Sequence, residues 1–242
     1  MPVIGCTCKV CTSADPRDQR LRTAALLRIG ATNIGIDCGP DFRQQMLRAG
    51  ASHLEAILLT HQHNDHIVGL DDVRPFNFRS GKAMPIYATS AVQQELRQRF
   101  AYAFDANPYP GAPRFDLHTI DKNLPFQVEG IEVIPIEVMH GRMPVLGFRI
   151  GYFTYLTDVK TINEQELQKI IGSKILVTSA LHHSPHYSHA NLEEAIELAQ
   201  LIGAERTYFT HMSHSMGLYE EVNRTLPQGM ALAYDGLEIE LS

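Results

Sequence analysis

Four short apolar runs in this 242-residue chain stop at a side chain that can hold a metal ion. AILLT runs into His61, IEV reaches Met139 and His140, TYLT ends before Asp158, and TYFT ends before His211. Runs this short and apolar, bounded by polar residues, read as buried β-strands rather than helices. Open α/β sheets place their ligand crevices at the carboxyl ends of strands, so residues in these positions converge on one point. That recurrence limits the fold to one built of parallel strands whose ends meet.

The densest of the four is HQHNDH, His61 to His66. Histidine and aspartate are poor core material, because each polar atom needs a partner once it leaves water. In extended chain, residues two apart point the same way about 6.6 Å apart, so His61 and His63 aim at one ion. As the chain turns into a helix expected to begin near Ile67, Asp65 and His66 swing to a neighbouring position. Two adjacent ions result, with His140 completing the first set, His211 the second, and Asp158 bridging. Imidazole and carboxylate ligands suit zinc, iron or manganese. A lone histidine at a strand end is more often a hydrogen-bonded loop residue than a ligand. The matched set as a whole outweighs that reading, and a closed structural zinc site would need only four ligands.

The rest of the pattern supplies a frame for these residues. LRTAALLRIG, ATN and IGID read as a hairpin, PDFRQQMLRAG as a helix ended by Gly50, and MPIYAT, GIEVIPIEV, GFRI, FTYLT, KILVTS and RTYFT as further strands. NEQELQKII and NLEEAIELAQLIG have helical spacing, the second closed by Gly203. Strands alternating with helices predict sheets covered by helices on their outer faces. With 44% hydrophobic residues, no evident linker and no repeat, one domain over 1–242 is expected, preceded by a cysteine knuckle at 6–11. The N-terminus does not read as a secretion signal and no apolar run reaches transmembrane length, so a cytoplasmic protein without membrane contact is expected. A net charge of −6 argues against a general nucleic-acid-binding face.

HQHNDH fits the His-x-His-x-Asp-His motif of the metallo-β-lactamase fold hydrolases, and His140, Asp158 and His211 follow in the order of that superfamily's remaining ligands. GLDDVRPFN, PHYSH, THMSH and AYDGLEI resemble one branch, the phosphoribosyl cyclic phosphate phosphodiesterases of phosphonate breakdown. The resemblance spans nearly the whole chain. It implies a four-layer αββα sandwich, a two-metal site holding Mn, Zn or Fe, a small cyclic ribosyl or nucleotide-like phosphodiester substrate, and a homodimer. A hydroxide bridging the two ions would attack phosphorus in line. Asp65 counts both as a ligand and among the catalytic residues.

GCTCKVC places Cys6, Cys8 and Cys11 in a Cys-x-Cys-x2-Cys cluster, which in a reducing cytosol reads as metal binding rather than disulfide. The branch completes a similar cluster with a histidine three residues after the last catalytic ligand, here His214, implying one structural zinc. Reduced, unliganded thiols are the alternative. Cys38 reads as a small buried residue. Asp37, at the end of IGID, reads either as the acceptor that orients a ligating imidazole or as a plain turn aspartate. His189 occupies the position of the branch's catalytic histidine and would protonate the leaving oxygen; a helix-capping role is the alternative, although Ser188 and Asn191 are also placed for the cap. His186 is a second catalytic candidate, and His182 and His183 have no assigned role. FAYAFDANPYPGAPRF, residues 100–115, reads equally as a wall over the crevice or a packed surface loop. Arg74 reads as an ion-pair partner of the nearby Asp71 and Asp72. The competing functions are a transfer-RNA 3′-processing endonuclease and a thioesterase or lactonase of the same fold.

Overall fold

The computed structural model describes residues 1–241 and divides them into two compact units, one of Arg22–Gly130 and one of Met1–Leu21 together with the chain from Ile131 onward. In the Arg22–Gly130 unit a five-stranded sheet runs in sequence order: β1 (Ala25–Ile29), β2 (Thr32–Ile36), β3 (Ala56–Leu58), β4 (Met84–Ala88) and β5 (Phe115–Thr119). β1 and β2 form an antiparallel hairpin, while β2 to β5 are parallel. Parallel strands need crossovers, and these are supplied by α1 (Phe42–Arg48), by α2 (Asn64–Ile67) with a 3-10 turn (Val68–Val73) and α3 (Arg74–Ser80), and by α4 (Ser90–Arg99). Ile57, Leu59, Ile67, Leu70, Val73, Ile86 and Leu96, all fully buried, form the centre of the core beneath them. Cys38 lies in the same cluster as the expected small buried residue. A short strand, β6 (Phe126–Val128), ends the unit.

The second unit begins with β7 (Ile131–His140), β8 (Met143–Ile150) and β9 (Phe153–Tyr155), antiparallel neighbours. β9, β10 (Ile175–Ser179), β11 (Arg206–Thr210) and β12 (Met230–Leu232) are parallel, giving the order β12-β11-β10-β9-β8-β7. β10 is buried along its whole length, as a central parallel strand covered on both faces must be. Helices α5 (Glu164–Gln168), α6 (Leu192–Ile202) and α7 (Tyr219–Asn223) connect these strands. α6 buries Leu192, Ala195, Ala199 and Ile202, one stripe of its surface. Asn191 and Glu194 close its N-terminus in a reciprocal capping box, and Gly203, at φ 72°, ends it. Such a cap contributes about 1 kcal/mol. His189 is therefore not required as the cap.

Two local expectations change. The helix of the HQHNDH stretch starts at Asn64 rather than near Ile67, so Asp65 and His66 already lie in its first turn. Extended His63 serves as its N-cap residue, and an acidic Asp65 beside the positive helix end favours the early start. His140 is the last residue of β7 rather than a residue beyond it, because β7 stays paired with β8 up to the His140–Met143 register. The sequence reading omits β5, β6, β12, α3, α4 and α7. α4 buries only Val92 and Leu96, too narrow a stripe to announce a helix, and β6 and β12 are three residues long.

Among the described residues, four that are not glycine have positive φ: Asp37 (64°), Glu129 (48°), Asp158 (54°) and His211 (57°). Three of them are the acids and imidazole that follow β2, β9 and β11. Left-handed backbone is costly for such residues and persists where surrounding structure holds it. Around Asp37 the hold is visible. Cys38 N–H donates to His66 O at 2.7 Å and Gly69 N–H to Cys38 O at 2.9 Å. A Cβ on Gly69 would sit 1.9 Å from Gly39 O, so the loop and the metal-motif helix touch backbone to backbone. Gly69→Ala is expected to lower Tm by about 4–8 °C, equivalent to about 2 kcal/mol of overpacking, in a calorimetric scan. An unchanged Tm would show that these backbones part without cost.

Candidate metal centres

In the Arg22–Gly130 unit one buried carboxylate organises two histidines. Asp37 Oδ2 lies 2.7 Å from His66 Nδ1, and a carboxylate there only accepts, so Nδ1 carries the proton and the lone pair falls on Nε2. Thr60 N–H donates to Asp37 Oδ1 at 2.9 Å, and the Thr60 hydroxyl donates to the same carboxylate at 3.0 Å. With its proton committed, Thr60 Oγ1 accepts from His61 Nδ1 at 2.9 Å, which again leaves the lone pair on Nε2. His61 Nε2 in turn lies 3.0 Å from His63 Nδ1. The Asp65 carboxylate is 3.5 Å from His66 Nε2. Imidazoles held by one nitrogen with the other presented are what a ligating histidine requires. Of its two alternative readings, Asp37 takes the acceptor's, while its φ of 64° also turns the chain after β2.

The second unit brings together another group of donors. His140 Nδ1 donates to the Ser188 carbonyl at 2.9 Å, fixing the same tautomer as in His61 and His66. Asp158, buried, has Oδ1 at 3.0 Å from His211 Nε2 and at 3.7 Å from His189 Nδ1. One donor atom from each of Asp158, His189 and His211 lies within 4.8 Å of the others. The His189 ring is 4.4 Å from that of His140 and 5.2 Å from that of His211. Burial lowers the His189 imidazole to about 3, with Asp158 opposing the shift, and its Nδ1 makes no hydrogen bond. The ring is neutral at pH 7. Asp158 is supported through its neighbour, because Val159 N–H donates to Ser179 Oγ at the end of β10.

The cysteine knuckle meets its expected partner. Cys6, Cys8 and Cys11 Sγ lie 3.3, 3.4 and 3.4 Å from His214 Nδ1. A tetrahedral zinc with bonds of about 2.3 Å to sulfur and 2.0–2.1 Å to nitrogen would separate S and N by about 3.5 Å, so the four atoms form a closed shell of the right size. Hydrogen bonding by the Cys11 amide, followed by weaker side-chain contacts, lowers the Cys8 thiol to about 6, making it a thiolate at neutral pH. Burial raises the Cys11 thiol. Geometry and donor chemistry both fit zinc.

Other residues singled out from sequence fall outside these groups. Arg74 pairs with Asp71 at 2.5 Å, as expected. In the 100–115 segment Phe100 and Phe104 lie against Phe115 and the Tyr102 hydroxyl donates to Asp71 at 2.5 Å, while residues 105–110 are exposed. His183 Nε2 is 2.8 Å from Met216 O, a loop brace rather than part of a donor group. His182 and His186 face each other at 6.0 Å. Thr60 and the Ser188 carbonyl were not singled out from sequence. A hydroxyl immediately before the motif was the only signal for the first, and a backbone acceptor leaves none.

Two outcomes test these centres. Asp37→Asn, which weakens the hold on both His61 and His66, is expected to lower metal affinity about 10- to 100-fold in chelator competition. Cys8→Ser is expected to remove about one zinc per chain in elemental analysis while leaving the other ions in place. Loss of every metal in that variant would contradict the separation of the two kinds of centre.

Comparison with known proteins agrees with this geometry. A model of the beta-lactamase superfamily domain matches residues 32–212. A crystal structure of a new diphosphatase from the PhnP family is 39% identical with a TM-score of 0.91, covering 98% of this chain and 90% of that one. An octanoyltransferase of Porphyromonas gingivalis is 41% identical over 240 residues, which are 98% of this chain and 48% of that protein. A ribonuclease Z of Natronomonas pharaonis is 26% identical over 194 residues, 77% of this chain and 56% of that protein. The chain spans about half the length of these two curated relatives. The fold is the αββα class implied by the motifs. The chain belongs to the beta-lactamase superfamily, in its PhnP branch.

Proposed function

We propose that the protein hydrolyses a small phosphodiester, using divalent ions held by His61, His63, Asp65 and His66 in one unit and by His140, Asp158 and His211 in the other. Zinc, manganese and iron all suit this nitrogen and oxygen donor set. Bound there, such ions would supply Lewis acidity and activate water at neutral pH. The observation that carries the reading is His189, an imidazole set 3.7 Å from Asp158 and close to the His140 and His211 rings. The remaining histidines and acids already supply donors for the ions, so this ring is left for proton transfer.

His189 starts neutral because its surroundings exclude water. An anionic phosphodiester beside it favours the protonated ring, since an opposite charge nearby stabilises the charged form. Substrate binding therefore loads the donor, and the ring delivers its proton to the departing alkoxide. A thioester or lactone is neutral and offers the ring no such help.

Ribonuclease Z relatives raise the transfer-RNA alternative, but a net charge of −6 disfavours the grip on a polyanion that such a substrate needs. The octanoyltransferase is about twice as long as this chain, so acyl transfer is the weaker reading. No helix among the described residues is long and apolar enough to cross a membrane. The thiol-rich knuckle suits the reducing cytoplasm, where we place the protein and its soluble substrate.

The test is turnover of bis(p-nitrophenyl) phosphate and of an octanoyl thioester, with metal analysis, for the parent and for His189→Ala. We expect about three metals per chain in both proteins. Phosphodiester turnover should fall about 10²- to 10⁴-fold in the variant. Thioester cleavage without phosphodiester cleavage would overturn the reading.

A further inference from the structure

Tyr187 stands almost wholly in solvent, 84% exposed, two residues from His189. Its loop is not loose. Leu181 N–H donates to Ala190 O at 3.0 Å, Leu192 N–H to His182 O at 2.9 Å, and Ser213 N–H to Leu181 O at 2.9 Å. The carbonyl of Ser188 holds His140, and Ser188 N–H donates to His186 Nδ1 at 3.3 Å. A braced loop that presents a large aromatic ring to water spends apolar surface that folding would ordinarily bury.

The ring also has a definite seat. Tyr187 lies against His186 with centroids 4.8 Å apart and planes tilted by 34°, and His186 lies 5.2 Å from His189. Three rings thus lead outward from the proton donor to solvent. Gly141, beside His140, packs against the same loop: a Cβ there would reach 3.2 Å from Ser188 Cβ and 3.9 Å from Tyr187 Cδ2. The row ends at His189, the ring read above as the proton donor.

We propose that Tyr187, seated on His186, is a specificity-determining subsite that stacks a planar heteroaromatic base, so that the preferred substrate is a nucleotide-type phosphodiester. The proposal rests on the phosphodiesterase reading for the role of His189. A tyrosine ring loses little freedom on binding and offers its face to any base. His186, read from sequence as a second catalytic candidate, becomes the support of that ring.

The experiment compares 2′,3′-cyclic adenosine monophosphate with the base-free 1,2-cyclic phosphate of ribose 5-phosphate, in the parent, Tyr187→Ala, Tyr187→Leu and Tyr187→Phe. Calorimetric binding of adenosine monophosphate and of ribose 5-phosphate provides a readout independent of turnover. For Tyr187→Ala and Tyr187→Leu we expect KM for the base-bearing diester to rise about tenfold with kcat little changed. The base-free diester should be unaffected, and Phe should restore the parent values. Adenosine monophosphate should lose affinity in parallel. Equal effects on both substrates, or no preference of the parent for the base in binding, would overturn the subsite. If neither diester is turned over yet adenosine monophosphate binds through Tyr187, the subsite stands and the phosphodiesterase reading falls.

Discussion

A carboxylate that is 1% exposed, Asp37, is the constraint on which His61 and His66 of the Arg22–Gly130 unit depend. Burying an ionised acid is expensive unless donors surround it, and here the Thr60 amide, the Thr60 hydroxyl and His66 Nδ1 do so. Each donor satisfied by Asp37 fixes something further along. His66 is locked to one tautomer directly, and His61 through the Thr60 hydroxyl. A neutral asparagine would fill the same space but attract the two imidazole protons far less. The charge, rather than the volume, is what holds both rings with Nε2 free to act as a donor atom.

The same unit shows where strain is stored. Asp37 adopts φ 64° while its N–H donates to Leu58 O, so the chain leaves β2 sharply just where β3 also ends. Asp158 and His211 make comparable turns after β9 and β11. A side chain leaving a strand in ordinary extended geometry would continue the alternation of the sheet. The left-handed residue breaks that alternation and points the acid or imidazole beyond the strand end. Each such turn costs about 1–3 kcal/mol, offset by the buried strands on which it sits.

How much of this was readable in advance follows from the same physics. Parallel strands announce themselves as short apolar runs, and a polar ligand at the end of one is conspicuous, so His61, Asp158 and His211 stood out. α4 did not, because only Val92 and Leu96 face inward. The helical start at Asn64 was missed because histidine and asparagine have weak helix propensity, and backbone bonds from the Asp37–Gly39 loop hold that turn in place. Ser188 could not be read as the orienter of His140, since any residue offers the carbonyl used. Nor does spacing reveal that Tyr187 would be left outside: PHYSH has the polarity of an ordinary loop.

The two kinds of metal centre are kept apart by donor chemistry. Thiolates are soft ligands that select zinc and, once four donors surround it, leave no coordination position for substrate. Imidazoles and carboxylates are harder and accept several metals. His214 closes the thiolate set only three residues beyond His211, so the two donor types share one loop. That loop needs a brace: His211 is held at φ 57°, followed by a 3-10 turn from His214 to Met216 capped by Ser213. A closed zinc shell would supply one by fixing the far side of the turn to the N-terminal segment. Such a centre would contribute to chemistry without taking part in it, by helping to hold His211 in its left-handed backbone conformation.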